Sequence, residues 1–121
     1  MLKIIDNLPE NVLAIEAKGE VTGADYESVL IPAVDEKLKA NKKVRLLYYL
    51  GSSFNGFSPK AMIDDAEVGM KHFSSWDRVA LVSDHKVINA FAKFFGYLLP
   101  GEVRIFTYEH LDEAKKWISE F

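Results

Sequence analysis

Cysteine is absent from this sequence of 121 residues, which excludes disulfides, thiolate nucleophiles and cysteine-ligated metal. No apolar run is long enough to span a bilayer: the longest, Val87 to Leu99, is interrupted by Asn89 and Lys93. The opening residues, Met1-Leu2-Lys3-Ile4-Ile5-Asp6, lack the basic start and apolar stretch of a signal peptide. A basic excess is also missing. Fifteen basic against eighteen acidic residues give a net charge of −3, so a nucleic-acid partner is not expected. These absences predict a cytoplasmic protein that remains open to peripheral contact with the inner membrane.

The motifs of catalysis are equally sparse. No Gly-x-Ser-x-Gly elbow, phosphate loop or dinucleotide glycine pattern occurs. Ser52, Ser53 and Ser58 are the candidate nucleophiles, with His72, His85 and His110 as candidate bases. Ser58 stands directly before Pro59, which explains it as a helix cap. The histidines are far apart and form no His-x-x-x-His pair, so no metal and no cofactor are expected. Asp64 and Asp65 are adjacent; on a helix they diverge by about 100° and read as a solvated edge. Asp84-His85 falls at a strand-to-helix turn, where aspartate is a common cap. The expectation is a protein that binds rather than an enzyme.

What is present is an ordinary globular composition, 49% apolar and 27% charged, of a length that suits one domain over residues 1–121. Leu2 to Asp6 and Val12 to Glu20 read as strands joined by the turn residues Asn7-Leu8-Pro9-Glu10-Asn11, an antiparallel hairpin. Thr22 and Asp25 open a helix whose apolar spacing runs from Tyr26 to Leu38, with Pro32 as a kink or restart. Val44 to Leu50 is a third strand and Gly51 to Phe57 a loop. From Ser58-Pro59 a second helix carries Met62, Ile63, Ala66, Gly69, Met70 and Phe73 as its apolar stripe. Val79 to Val82 is a short buried strand, Lys86 to Tyr97 a third helix, Val103 to Phe106 the last strand. Glu109 to Phe121 is the final helix, with Leu111, Ala114, Trp117, Ile118 and Phe121 inward. The order ββαβαβαβα implies right-handed crossovers and an α/β fold with a mostly parallel sheet.

Three segments carry a resemblance: Gly19-x-x-Thr22-x-x-Asp25-Tyr26, Trp76-Asp77-Arg78-Val79-Ala80-Leu81-Val82, and Val103-Arg104-Ile105-Phe106 leading to Ala114-Lys115-Lys116-Trp117-Ile118. In order and spacing they resemble the SpoIIAA-like family, a bacterial relative of STAS domains and of the Sec14 (CRAL-TRIO) lipid-transfer fold. The resemblance implies a β-α superhelix: a five-stranded, mostly parallel sheet with an antiparallel first strand and four helices. Among the relatives, STAS proteins bind protein partners under serine phosphorylation and Sec14-type proteins hold a lipid beneath a movable helix. The phosphoswitch branch carries Asp-Ser-(Ser/Thr)-Gly before its second helix. Here Leu50-Gly51-Ser52-Ser53-Phe54-Asn55-Gly56-Phe57-Ser58 stands in its place, with no aspartate before the serines, so the switch is not carried over.

The third helix departs from an ordinary amphipathic pattern. Between Lys86 and Leu99 only Lys86, Asn89 and Lys93 are polar, and their spacing of three and four makes one narrow stripe. Such a helix is either flanked and buried on most sides or meets something that is not part of the chain. The expected site is an apolar or amphipathic small molecule, such as a lipid, between this helix and the sheet. Phe91, Phe94, Phe95 and Leu98 would contact it and Phe54 and Phe57 would form the rim. Lys86 and Lys93 would reach the headgroups of a membrane surface. The rim at the carboxyl ends of the parallel strands would comprise Thr22, the Ser52–Phe57 loop, Ser83-Asp84-His85 and Thr107-Tyr108. The alternatives are a protein partner held by the loop after the third strand, as in STAS domains, and a homodimer that covers the helix.

Overall fold

The computed structural model describes residues 1–120; Phe121, expected to face inward from the last helix, lies outside the described residues. Five strands form the main sheet: β1 (Leu2–Ile5), β2 (Val12–Ala17), β4 (Val44–Leu50), β6 (Trp76–Val82) and β7 (Glu102–Phe106), in the order β1-β2-β4-β6-β7. β1 runs antiparallel to β2 and every other pairing is parallel. The hairpin turn uses Asn7 at φ 72°, a left-handed conformation that asparagine tolerates better than most residues. A second parallel pair, β3 (Glu20–Val21) with β5 (Gly56–Phe57), was not visible as periodicity because each piece is only two residues long. It arises because β2 stops at Ala17 and Gly19, at φ 57°, redirects the chain.

The first helix is continuous but not uniform. It opens at α1 (Gly23–Asp25), where Thr22 and Asp25 form a reciprocal capping box. It then passes through a π turn at Tyr26–Leu30 and continues as α2 (Ile31–Ala40). The Ile31 N–H donates to the Tyr26 carbonyl, five residues back. Pro32, which has no N–H to give, follows as one of the first residues of α2, so the restart expected at this proline takes the form of a π turn just before it. The other helices are α3 (Pro59–Lys71), α4 (Lys86–Leu98) and α5 (Leu111–Ser119), which completes a set of four.

Side-chain alternation in β4 divides the core. Val44, Leu46, Tyr48 and Leu50 face the side covered by the first three helices, while Leu47 and Tyr49 face α5. Crossovers from β2 to β4, β6 and β7 step in one direction across the sheet, so right-handedness puts all three connecting helices on one face. On the other face α5 buries Ala114, Trp117 and Ile118. All three arginines serve that helix. Arg45 donates to the Ile118 and Glu120 carbonyls and Arg78 to the Trp117 carbonyl, so both satisfy the end of α5. Arg78 and Arg104 each place a guanidinium 4.9 Å from the Trp117 ring centre.

α3 reverses the expected orientation. Its buried positions are Ala61, Asp64 and Val68, whereas Met62, Ile63, Ala66 and Met70 are exposed. Asp64 is therefore not a solvated edge. It is 3% exposed, with Oδ1 2.7 Å from the Lys60 ammonium, and Oδ2 is buried without a partner. Asp65 reaches in from the flank of the helix to accept from the Tyr26 hydroxyl at 2.8 Å, and that hydroxyl also meets the Tyr48 hydroxyl at 3.0 Å.

Candidate functional site

α4 lies against the edge of the sheet along β7. It rests on Ile88, Ala92 and Leu99, which pack against the core, and on Gly96. A β-carbon at Gly96 would stand 3.2 Å from the Val103 Cβ, so glycine lets helix and strand approach closely. Below, Gly101 leaves the helix in a still tighter place: a β-carbon there would stand 2.2 Å from the Trp76 carbonyl oxygen. The seat of α4 thus uses small residues at its centre, while Val87, the three phenylalanines, Tyr97 and Leu98 point away.

None of the helix's side chains is fully buried. Phe91, Phe94, Phe95 and Leu98 are 62%, 60%, 47% and 54% exposed, and Val87 and Tyr97 are exposed beside them. Projected at about 100° per residue, Tyr97, Ala90, Phe94, Val87, Leu98, Phe91 and Phe95 span an arc of about 160°. Lys93 and Lys86 border it at one edge. The structure therefore brings together four of the expected contact residues with both lysines, but on the outer face of α4. Two openings, of about 140 and 110 Å³, lie between α2 and α3 and beside the β1–β2 turn; neither is beneath α4. Val87 and Tyr97 belong to the same surface and were not singled out from sequence. The signal that could have found them is the line Ile88, Ala92, Gly96, Leu99, whose small central members mark the seat.

Phe54 and Phe57 lie elsewhere. Phe54 is 5% exposed and plugs the top of the core, in edge contact with Phe57 at 5.0 Å and with His85 at 5.1 Å. Phe57 packs edge-on against Tyr48. Both anchor the Gly51–Phe57 segment, and Ser52, Ser53 and Asn55 are left exposed at its surface. The neighbouring rim is held by local bonds. Ser83 Oγ accepts from the His85 N–H at 3.0 Å, and Asn89 Nδ2 donates to the Ser83 carbonyl at 2.8 Å. Asp84 accepts from the Tyr108 N–H at 3.1 Å, so it secures the next turn rather than capping α4. Ser58 accepts from the Ala61 N–H at 3.1 Å and is a helix cap.

The three histidines have separate neighbours: Asp35 for His72, the Phe54 ring for His85 and Thr107 for His110. Among the described residues no three histidine, aspartate or glutamate side chains come together as a metal site. Two carboxyls depart from ordinary titration. Desolvation pushes Asp65 above the usual carboxylate range, opposed by the hydrogen bond from Tyr26. Burial also pushes Asp25 upward, but the Thr22 N–H and hydroxyl and the Met1 ammonium outweigh it and hold the group below that range. Both lie near the start of the first helix, away from α4.

An α/β sheet covered on both faces that presents an apolar helix face and an anchored polar loop defines a generic binding or regulatory module. The chain belongs to the SpoIIAA-like family, whose description matches residues 12–119. It is similar to the crystal structure of a protein of the DUF3478 family with a SpoIIAA-like fold from Shewanella loihica PV-4. The two are 26% identical, with a TM-score of 0.77 over 98% of this chain and 92% of that one. No curated protein matches the sequence. Among the described residues no helix is long and apolar enough to cross a membrane.

Proposed function

We propose that this protein is a non-enzymatic binding module that docks on lipid surfaces through the outer face of α4. The observation that supports this is the exposed arc of Val87, Phe91, Phe94, Phe95, Tyr97 and Leu98, bordered by Lys86 and Lys93. Aromatic and aliphatic side chains would enter the acyl boundary, and the lysine stems would lie along it with their ammonium groups at anionic headgroups.

The test is flotation with vesicles of phosphatidylcholine, with and without phosphatidylglycerol. Burial of the exposed parts of Phe94 and Phe95 is worth about 2–3 kcal/mol together, so Phe94→Ser/Phe95→Ser should weaken partitioning roughly 30- to 150-fold. Added salt should weaken binding to the anionic vesicles. Unchanged binding by the double variant removes the lipid-docking function.

A second function is supported by the loop after β4. Phe54 and Phe57 fix its position from below, and the exposed Ser52, Ser53 and Asn55 form a preorganised polar surface for a protein partner. Alanine substitution of those three residues should leave vesicle flotation intact and abolish partner capture from the host.

A further inference from the structure

The outer face of α4 has a second property. Val87, Phe91, Phe94 and Leu98 are separated by four, three and four residues, which is the spacing of a coiled-coil seam. On that frame the positions flanking the seam are Ala90 and Tyr97 on one side and Ile88 and Phe95 on the other, all uncharged. Lys86 and Lys93 share one position further round, outside the contact. A copy of the same helix laid along the seam would therefore meet no like charge beside it.

Area points the same way. The exposed parts of Val87, Phe91, Phe94, Phe95, Tyr97 and Leu98 amount to on the order of 700 Å². That exceeds the apolar patch a monomer ordinarily leaves wet, and it matches the roughly 800 Å² that one partner contributes to a standard interface. We infer that in water this face is closed by a second copy of the chain, as a symmetric dimer with α4 against α4. The dimer hides the surface that lipid would use, so the two forms exclude one another; that exclusion rests on the lipid-docking function proposed above, whereas the dimer does not.

Sedimentation equilibrium over a micromolar range should show a reversible dimer, strengthened by added salt as the lysines on the paired helices are screened. Phe94→Ser should raise the dissociation constant roughly 40- to 300-fold, because a two-fold interface loses the contact twice, and Ala90→Lys should raise it by placing an ammonium group beside the contact in both copies. Circular dichroism checks the fold of both variants. A second measurement uses the absence of native cysteine. Ala90→Cys should cross-link into a covalent dimer on mild oxidation, whereas Glu113→Cys, on the opposite face of the sheet, should not. A monomer at every concentration, or a dimer that survives both substitutions, overturns the assignment. Flotation of the same samples separates the two ideas: monomers that bind vesicles keep lipid docking and reject the dimer, and dimers that never bind do the reverse. Where both occur, the cross-linked Ala90→Cys dimer should lose vesicle binding, and retained binding overturns the exclusion.

Discussion

Tyr26→Phe removes one oxygen from the joint that ties the first helix, the sheet and α3 together. Its ring is fully buried, and its hydroxyl lies 2.8 Å from Asp65 Oδ1 and 3.0 Å from the Tyr48 hydroxyl. A hydrogen bond to a charged acceptor contributes about 1.5–3 kcal/mol and a neutral one about 0.5–1.5. The exposed flank of Asp65 lets water recover part of this, so the expected loss is about 2–3 kcal/mol, read as a lower urea midpoint at unchanged slope. Tyr48→Phe leaves the bond to Asp65 and should cost about 1 kcal/mol or less. The double variant should cost little more than Tyr26→Phe alone, because the two hydroxyls share one bond. The sign of the pH dependence follows from Asp65, whose folded value is raised. Stability from that group is fully present below its unfolded value near 3.9 and is lost as pH rises through the folded value. Without the Tyr26 hydroxyl the carboxylate is held less well, so the deficit of Tyr26→Phe should grow from pH 4 to pH 7. A loss below about 0.5 kcal/mol at pH 7, or one that does not change with pH, would refute the reasoning.

Other outcomes follow from single residues. Phe54→Ala should cost about 3–5 kcal/mol in urea unfolding, since its ring is core, whereas Phe94→Ser should cost about 1 kcal/mol or less. Gly101→Ala should lower stability by about 2–4 kcal/mol, because a β-carbon there meets the carbonyl oxygens of both Trp76 and Asp77; a melting temperature within 2 °C or so of the parent would contradict this. Asp25→Ala should cost about 1 kcal/mol at pH 7 through the capping box. Since Asp25 is held below the ordinary range, that difference should disappear as pH falls through its folded value.

Much of the fold was legible because it depends on local pattern. The order of strands and helices, the capping residues Thr22 and Ser58, and the restart at Pro32 all follow from residue chemistry within a few positions. Direction was the harder quantity. The spacing of Met62, Ile63, Ala66 and Met70 shows that α3 has an apolar stripe, but periodicity alone does not say which way a stripe faces. The buried line of α3 contains Asp64, a residue whose charge argues for solvent and whose place is held by Lys60. For α4 the composition was informative and the geometry was inverted. A helix apolar on most sides can be seated by either face, and the choice fell to the face with Ala92, which packs on the core, and Gly96, which lets the backbone come close to Val103. The β3–β5 pair leaves no sequence signal for a different reason: two-residue strands have no period.

The single direction in which the chain crosses the sheet also sets an order of assembly. Each β-α unit after the hairpin adds to an edge already present, so the face beneath the first three helices is completed as synthesis proceeds. The opposite face waits. Val12, Ala14, Leu47, Ala80 and Val82 stay uncovered until α5 arrives, and the arginines on β4 and β6 are in place before the carbonyls they hold. A nascent chain halted before Ala114 would therefore carry a wet apolar sheet, a natural target for chaperones. Docking of α5 would be the event that covers it.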